Sequence, residues 1–374
     1  MERILHIVGI MNKAGAETML MNLYRNLDKS QFQFDFVVFK NIKGDFDEEI
    51  KSLGGKIIYI PGNNFFDRTK SLKKFILDNK YKVIHSHTLL STAFHIYAAY
   101  RANIPFRIVH AHSTYDKSAK TLKGKVYQSF AKFLIRKFST NLIACSYAAS
   151  DFLYGNNPPS KPKILYNSID LDVFESALSS NDDYLNEKFG ISNSVFKIVQ
   201  VGRLENVKNP YFSIQLAKEL LDRGIDFKMI FVGQGSLLED VKQQAVNLGL
   251  SDYIVFAGLR SDIPEIMSDA DLMIMPSLYE GFPVVLVESQ AMGLPALISK
   301  NISTEVDLGL GLIEFLKLDK NFWLERIIYH INHKINTNKK QNKSERLRVL
   351  REKGFDVKNS CRDLESLYSE LIKR

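Results

Sequence analysis

The sequence predicts an α/β protein made of two successive open parallel sheets. Short apolar strands alternate with helical stretches through most of the chain, and a polar break rich in Pro, Gly and Asn interrupts the alternation once. Such alternation is typical of parallel sheets covered by helices on both faces. The 374 residues suffice for two domains of ordinary size, each with its own core.

The first half contains six predicted strands, at residues 4–10, 34–39, 56–61, 82–87, 106–112 and 142–146. Each is a short apolar run of the kind that forms a buried strand. The break follows at 155-GNNPPSKPK-163, and a second polar stretch covers residues 177–194. We therefore predict an N-terminal domain of residues 1–168, with the connection near residues 169–174.

The alternation restarts in the second half, with predicted strands at residues 196–203, 226–233, 253–258, 271–276 and 295–299. This predicts a second domain of residues 169–354. The tail from residue 312 onward is predicted to be largely helical, with a final helix at residues 355–374 that packs near the domain junction. In open α/β sheets, ligands collect at the carboxyl ends of the strands.

The composition is that of a soluble globular protein, with 45% hydrophobic and 25% charged residues. The longest apolar runs are too short to cross a bilayer, and no signal peptide is visible, so we expect a cytoplasmic protein. Two cysteines, Cys145 and Cys361, exclude a disulfide framework and a cysteine-based zinc site.

The positive charge of the chain is concentrated in its first half. The net charge of +8 divides into +10 for residues 1–175 and −2 for the rest, which predicts an anionic partner for the first half. A basic amphipathic stretch at residues 116–138 supplies Lys117, Lys120, Lys123, Lys125, Lys132, Arg136 and Lys137. A solvated helix face explains it equally well, but a second basic stretch at residues 68–82 favours an anionic membrane surface. No motif of a nucleic-acid-binding protein accompanies this charge.

Three loops that follow predicted strands could bind phosphate. In 201-VGRLENVKNP-210, Arg203 and Lys208 could clamp a diphosphate, although a solvated turn with two cations is the alternative. The G-x-G turn in 231-FVGQGSLLEDVKQ-243 and the loop 9-GIMNKAGAETML-20, with Gly15, each open a helix. Any tight strand-to-helix turn can require glycine for its shape alone.

Two further patterns suggest metal binding but do not require it. His85 with His87 and His110 with His112 form two H-x-H pairs at strand ends. No Asp or Glu accompanies either pair, so we favour polar packing, with His112 facing a ligand, over a zinc site. The D-x-D triplets at 170–172 and 269–271 are interpreted as caps and turns.

Glu280 and Glu288 flank the apolar run of 277-SLYEGFPVVLVESQAMGLP-295. Two glutamates at this spacing could be a catalytic carboxylate pair, a grip on a nucleotide, or two ordinary helix acids.

Taken together, GRLENVKNP, FVGQGSLLEDVKQ, PSLYEGFPVVLVE and HAHS resemble the retaining nucleotide-sugar glycosyltransferases of family 4, which have the GT-B fold. The resemblance covers nearly the whole chain and is most specific over residues 199–299. Its closest likeness is to bacterial exopolysaccharide and capsule enzymes. The resemblance implies two Rossmann-like domains facing across a cleft, the first binding the acceptor and the second the donor.

The resemblance also implies roles for individual residues. Arg203 and Lys208 would hold the donor diphosphate, Glu280 would contact the donor sugar, and Glu288 would bind the ribose hydroxyls. His112 would touch the transferred sugar. The remaining donor contacts would come from Gly15, Gly202, Gly233, Gly235, Gly281, Phe282 and Val284. One segment departs from the family: 299-SKNISTEVDLG-309 lacks the glycines of the usual G-G-x-P-E turn.

We therefore expect a metal-independent, retaining hexosyltransferase without a cofactor. It would move a sugar from a nucleotide diphosphate donor, most simply a UDP-sugar, to a glycan or lipid-linked glycan at the inner face of the plasma membrane. Retention would proceed by front-face displacement, because nothing demands the roughly 5 Å carboxylate spacing of a retaining glycosidase. The alternatives are a GT-B epimerase and a catalytically inactive nucleotide-sugar-binding scaffold.

Overall fold

The computed structural model describes residues 1–62, 64–114, 116, 121–178, 183–333 and 342–373. The chain divides into two compact units. The first consists of Met1–Ile169 and Gly354–Arg374, and the second of Asp170–Lys353. The boundaries predicted from the sequence lie after residues 168 and 354.

Each unit contains one parallel sheet with helices between its strands. The strands are β1 Glu2–Ile7, β2 Phe32–Val38, β3 Lys56–Tyr59, β4 Val83–Ser86, β5 Phe106–Ala111, β6 Asn141–Ala144, β7 Lys163–Ile164, β8 Phe196–Val201, β9 Phe227–Val232, β10 Ile254–Gly258, β11 Leu272–Met275, β12 Ala296–Ser299 and β13 Ile313–Leu316. The helices of the first 270 residues are α1 Gly15–Asn26, α2 Asp47–Ser52, α3 Phe65–Asn79, α4 Thr92–Arg101, α5 Leu122–Phe138, α6 Tyr147–Tyr154, α7 Leu171–Ala177, α8 Tyr184–Phe189, α9 Pro210–Asp222, α10 Leu238–Asn247 and α11 Ile263–Asp269. The last four are α12 Val284–Met292, α13 Lys320–Asn332, α14 Lys343–Glu352 and α15 Val357–Ile372.

The sheet of the first unit has the strand order β3-β2-β1-β4-β5-β6-β7. Its central strands are buried on both faces, and successive side chains point to opposite sides. In β1, Ile4 packs into a core with residues of α1 and α15, whereas Leu5 and Ile7 pack on the other face against residues of α3 and α4. Each fully buried aliphatic side chain of this kind stabilises the fold by about 1.5–3 kcal/mol.

The sheet of the second unit has the order β10-β9-β8-β11-β12-β13. Its core includes Ile198, Phe231 and Trp323, so α13 contributes to the same core as the central strands. At the start of β8, the buried ammonium of Lys197 pairs with Asp269, while its backbone N–H donates to Asp271 at 2.8 Å. These two acids flank the turn between α11 and β11, as expected for caps and turns, and Asp269 also accepts from Leu185 N in the first turn of α8 at 2.6 Å. They further tie α11 and β11 to β8. Asp170 does cap α7, accepting from Asp172 N at 3.2 Å.

The C-terminal tail is largely helical, as predicted: it contains α13, α14 and α15, with the short strand β13 at its start. The final helix α15 belongs to the first unit, where Val357, Leu364 and Tyr368 complete the core beside α1. None of the described helices is both long and apolar enough to cross a membrane.

Candidate functional site

The loops that follow β8 and β9 approach each other so closely that only glycine fits. A Cβ atom added to Gly233 would lie 2.1 Å from the carbonyl oxygen of Gly202, and one added to Gly235 would lie 2.2 Å from that of Leu204. Gly202 and Gly233 also have φ angles of 143° and 142°, which other residues rarely adopt. Their N–H groups already donate to Val232 and Gly258. These two glycines thus shape the loops, and their amides are not available to a phosphate.

Lys208 is held above this glycine turn by its neighbours. It ends a 3-10 helix at Asn206–Lys208, and its side chain passes over Gly202, where an added Cβ would lie 3.0 Å from Lys208 Cε. The buried amide of Gln200 donates to the Lys208 carbonyl at 2.9 Å. Asn209 adopts a left-handed conformation with φ 53° just before Pro210 begins α9. Gln200 and Asn209 therefore fix the lysine, and sequence reasoning missed both.

The loop after β11 is joined to the Lys208 turn by two hydrogen bonds. Leu278 N donates to Val207 O at 2.8 Å, and Asn209 Nδ2 donates to Pro276 O at 3.1 Å. This places Lys208 Nζ 2.7 Å from Glu280 Oε1, with side-chain exposures of 17% and 16%. The structure thus brings together two of the predicted residues, which lie 72 positions apart in the chain. Arg203, on the same loop as Lys208, is exposed.

The helix α12 begins directly after this loop. Phe282 is buried, Gly281 and Val284 are half-buried, and the first N–H groups of the helix have no partner within it. One turn further on, Glu288 is half-buried, and desolvation raises the pKa of its carboxyl to about 7. A carboxylate at this position therefore gains a proton close to neutral pH.

A buried glutamine fixes the segment that departs from the family pattern. The amide nitrogen of Gln290 donates to Leu286 O and Val306 O, both at 2.8 Å, and its oxygen accepts from Leu308 N at 3.0 Å. Nearby, Ser303 caps the 3-10 helix at Thr304–Val306 by accepting from Glu305 N at 3.3 Å. Side-chain hydrogen bonds therefore order this turn without the missing glycines.

In the first unit, both H-x-H pairs belong to a cluster of five histidines on the α1 and α15 face of the sheet. His6 Nδ1 lies 3.0 Å from His87 Nε2, and His87 Nδ1 lies 2.9 Å from His112 Nε2. His85 Nδ1 is 2.8 Å from the hydroxyl of Tyr368. Burial lowers the pKa of each of these histidines, to about 3 for His6 and His112, so all are neutral.

His112 does not present a free ring nitrogen in this arrangement. Its Nε2 contacts His87, and its Nδ1 is inaccessible to solvent. A side-chain contact with a sugar would require the ring to rotate, and the assigned role of His112 stays a prediction. Gly15 begins α1, and an added Cβ there would meet open space.

A cleft of about 500 Å³ lies within the first unit, at the carboxyl ends of β1, β2 and β4. Its walls combine cationic, aromatic and hydroxyl side chains with Glu17 and two histidines. They include Lys40, Arg68, Phe39, Phe65, Thr88 and Ser91. Arg68 Nε donates to Gly62 O at 3.2 Å, and its charge helps burial to lower the pKa of His95 to about 3. The cleft is therefore suited to a ligand that is both anionic and partly apolar.

The basic stretch forms α5, on which four of the predicted cations are exposed: Lys123, Lys125, Arg136 and Lys137. Lys132 instead lies half-buried over the Phe152 ring at 4.3 Å. Lys117 and Lys120 lie outside the described residues. The exposed apolar side chains on the same helix are Leu122, Val126, Phe130 and Phe133, each more than half exposed. The helix thus presents charge and apolar surface together.

The comparison with family models matches both units. Residues 14–173 match the model described as Glycosyltransferase Family 4, and residues 181–308 match that of Glycosyl transferases group 1. These two matches cover the first unit from α1 to β7, which is all of its sheet except β1, and the loops of the second unit that carry Lys208, Glu280 and Glu288.

Known proteins give the same result. The glycosyltransferase EpsF of Bacillus subtilis is 38% identical over 334 residues, which cover 87% of each chain. The UDP-Gal:alpha-D-GlcNAc-diphosphoundecaprenol alpha-1,3-galactosyltransferase of Escherichia coli is 30% identical over 237 residues, covering 61% of this chain and 60% of that one. The structure of HepE from Anabaena, solved with UDP and glucose, superimposes with a TM-score of 0.79 at 19% identity, covering 99% of this chain and all of that one.

The prediction of a GT-B type fold with two Rossmann-like domains is therefore confirmed. The chain is a transferase related to enzymes of bacterial exopolysaccharide and capsule synthesis. With matched models in both units and a relative of 38% identity over most of its length, this chain belongs to the glycosyltransferases of family 4 and group 1.

Proposed function

We propose that this protein transfers a hexose, with retention of configuration, from a UDP-sugar to a lipid-linked glycan during exopolysaccharide or capsule synthesis. The observation that carries the proposal is the contact between Lys208 and Glu280 at the carboxyl ends of β8 and β11. The UDP bound by HepE and the UDP-Gal donor of the Escherichia coli relative support the choice of donor. The diphosphoundecaprenol-linked acceptor in the name of that relative supports the choice of acceptor.

In this proposal the second unit binds the donor by charge. Lys208, together with the exposed Arg203, neutralises the diphosphate as negative charge builds on the leaving UDP. Glu280 orients the Lys208 ammonium before the donor arrives, so little reorganisation is needed when the diphosphate binds. Glu288 accepts hydrogen bonds from the ribose hydroxyls, which favours its ionised form. In this proposal the two glutamates act on different parts of the donor: Glu280 acts through Lys208 at the diphosphate, and Glu288 binds the ribose.

Retention is proposed to occur by front-face displacement. Glu280 is an unsuitable nucleophile. Its carboxylate lies 2.7 Å from the Lys208 ammonium, which stabilises the negative charge and so lowers the nucleophilicity of the carboxylate oxygens. The departing diphosphate then takes the proton of the acceptor hydroxyl, and the protein contributes mainly positioning. Isolation of a covalent glycosyl ester of Glu280 would contradict this mechanism.

Cationic side chains are further proposed to take the part that a divalent metal plays in other nucleotide-sugar transferases. Lys208 and Arg203 supply two positive charges, which balance the roughly two negative charges of the donor diphosphate. Transfer is therefore expected to continue when a chelator is present in excess. Loss of transfer under chelation, restored by Mg²⁺ or Mn²⁺, would contradict this part of the proposal.

The acceptor is assigned to the cleft of the first unit. Lys40 and Arg68 suit the phosphates of a carrier lipid, while Phe39 and Phe65 suit a sugar face or the first part of a lipid chain. Replacement of Arg68 by Ala is expected to raise the KM for the acceptor and to leave the KM for the donor unchanged. A rise confined to the donor would contradict the assignment.

The exposed cations and apolar side chains of α5 are proposed to rest on an anionic membrane surface, where such an acceptor would be found. A basic amphipathic helix binds anionic lipids through both charge and buried apolar area. The proposed location is therefore the inner face of the plasma membrane, without a membrane-spanning helix among the described residues.

The test of the function is transfer by wild-type protein and two matched lysine variants. A panel of UDP-sugars is first screened by thermal shift, and UDP release is then measured with and without acceptor. Lys208→Ala is expected to lower kcat/KM by a factor of about 100 or more, since the charge stabilises the leaving group. Lys218→Ala removes a half-buried lysine that pairs with Asp222 on α9, away from the Lys208 turn, and is expected to be silent.

Three outcomes would contradict the proposal. Wild-type activity in Lys208→Ala would remove the diphosphate clamp. Release of UDP with interconversion of the free sugar, and no transfer, would indicate an epimerase. Binding of UDP-sugars without release of UDP under any condition would indicate a binding scaffold.

A further inference from the structure

The five clustered histidines of the first unit leave more ring nitrogens without partners than a buried cluster normally does. Among the described residues, no hydrogen bond reaches His6 Nε2, His85 Nε2, His112 Nδ1 or either nitrogen of His110. A neutral imidazole offers one donor and one acceptor, and buried polar atoms are nearly always satisfied. His110 is 1% exposed, so solvent at the protein surface cannot hydrogen-bond to either of its ring nitrogens.

Two triplets within the cluster bring potential ligand atoms within 4.8 Å of one another: His6, His85 and His87, and His87, His110 and His112. The second triplet lies at the carboxyl edge of β4 and β5, because His87 and His112 directly follow those strands. His87 also lines the cleft, and His112 is only half-buried. An ion can therefore reach the second triplet more readily than the first, all of whose members are buried.

We propose that His87, His110 and His112 form a binding site for one divalent transition-metal ion of the zinc class. Imidazole is a preferred ligand of Zn²⁺, Co²⁺ and Ni²⁺, and three histidines with an open fourth position form a known type of zinc site. The inference does not depend on the proposed transfer reaction, although it uses His112, the residue that is also predicted to touch the transferred sugar.

The ligand nitrogens need to move relative to one another by no more than about 1.5 Å, because all three now lie within 4.8 Å of one another. Metal–nitrogen distances of about 2.0–2.1 Å in a tetrahedral site place two ligand nitrogens about 3.3 Å apart. His87 Nδ1 and His112 Nε2 are now 2.9 Å apart, so ring tilts that separate them by a few tenths of an ångström would admit the ion. His110, which stacks on His112 with ring centroids 4.0 Å apart, supplies the third nitrogen from the next ring.

His6 completes the site as an orienting partner. When His87 binds the ion through Nδ1, its proton lies on Nε2 and can be donated to His6 Nδ1, 3.0 Å away. Metal-bound histidines are almost always oriented by such a hydrogen bond from their second nitrogen. Every histidine remains neutral in this arrangement, so binding releases no proton from the ligands themselves.

The experiment is a Co²⁺ titration of full-length protein freed of any polyhistidine tag and of bound metal by chelation. We expect one equivalent per chain to bind with the intense visible absorption of tetrahedral, nitrogen-ligated Co²⁺, and the Tm to rise with Co²⁺ concentration. His110→Gln should abolish the absorption. His95→Gln is the matched control, since His95 is buried in the same unit but hydrogen-bonds to Thr88 Oγ1 at 3.0 Å outside the cluster.

Three results would overturn the assignment. Wild-type protein that gives no absorption and no rise in Tm has no such site, whatever the variants do. Loss of binding in His85→Gln together with full binding in His110→Gln would place the ion in the deeper triplet. Equal binding by all variants, including His110→Gln, would show that Co²⁺ is held elsewhere.

Discussion

Acidification from pH 7.5 to 5.5 is expected to destabilise the first unit far more than the second. His6, His85, His87, His95 and His110 are each at most 8% exposed, and burial lowers the pKa of all five well below that of an unfolded histidine. The unfolded state therefore binds more protons below pH 6.5, and stability is lost as the pH falls.

The magnitude follows from the proton balance. For a histidine that titrates at about 6.5 when unfolded and stays neutral when folded, this pH change costs about 1.4 kcal/mol. These five residues give about 7 kcal/mol, and His112, whose pKa burial also lowers to about 3, brings the upper value to about 8 kcal/mol, similar to the whole stability of an ordinary domain. At a urea slope of about 2.5 kcal/mol per M, the unfolding midpoint of the first unit would fall by about 3 M.

The assay uses the single tryptophan of the chain. Trp323 is buried in the second unit, so its fluorescence follows that unit, whereas far-UV circular dichroism follows both. Urea unfolding in the presence of a chelator should show a dichroism transition that moves to lower urea on acidification. The fluorescence transition should move much less, because acidification has opposite effects on the stability of the second unit at two residues. The raised pKa of Glu288 makes the folded state more stable as the pH falls, whereas the lowered pKa of His330 makes it less stable.

A pair of variants tests the cause. His110→Gln removes one of the titrating groups and should reduce the pH-dependent change by about 1.4 kcal/mol. His333→Gln, at an exposed position of the second unit, should leave it unchanged. The reasoning is refuted if both probes shift equally with pH, or if the dichroism midpoint moves by less than about 0.5 M.

Three further predictions concern the glycine turn, Glu288 and α5. Gly233→Ala should destabilise the second unit by about 2 kcal/mol or more, because the added Cβ would clash with the backbone of Gly202. Gly258→Ala, also at positive φ but facing open space, should destabilise the unit clearly less. Equal urea midpoints for the two variants would contradict this prediction. UDP affinity measured by calorimetry should weaken up to about eightfold from pH 7.5 to 6.0, because Glu288, with its pKa near 7, gains a proton. If UDP affinity depends on pH to the same extent in Glu288→Gln, another group causes the effect. Replacing Phe130 and Phe133 by Ser should reduce flotation with anionic vesicles by about tenfold, and equal flotation with neutral vesicles would contradict a role for the helix charge.

The parts of the donor site that the sequence predicts are those whose residues lie in short, continuous segments of the chain. Lys208 lies in a loop directly after a strand, and Glu280 and Glu288 surround the start of a helix. The 2.7 Å contact between Lys208 Nζ and Glu280 Oε1 could not be predicted from the sequence, because it depends on β8 and β11 being neighbours in the sheet. Gln200 and Gln290 carried no signal at all, since a buried glutamine is recognised only by the backbone groups that surround it.

The strand and helix pattern, the division into two domains and the chemistry of the loops were determined by the sequence alone, because they rest on local periodicity and on the residues next to each strand end. Only the tertiary structure decided which distant residues meet. It gathered His6, His85, His87, His110 and His112 from three adjacent strands, and it brought Tyr368 of α15, 283 residues further along the chain, to within 2.8 Å of His85. Sheet order and the return of the last helix to the first unit set these contacts, and neither is encoded in any local pattern.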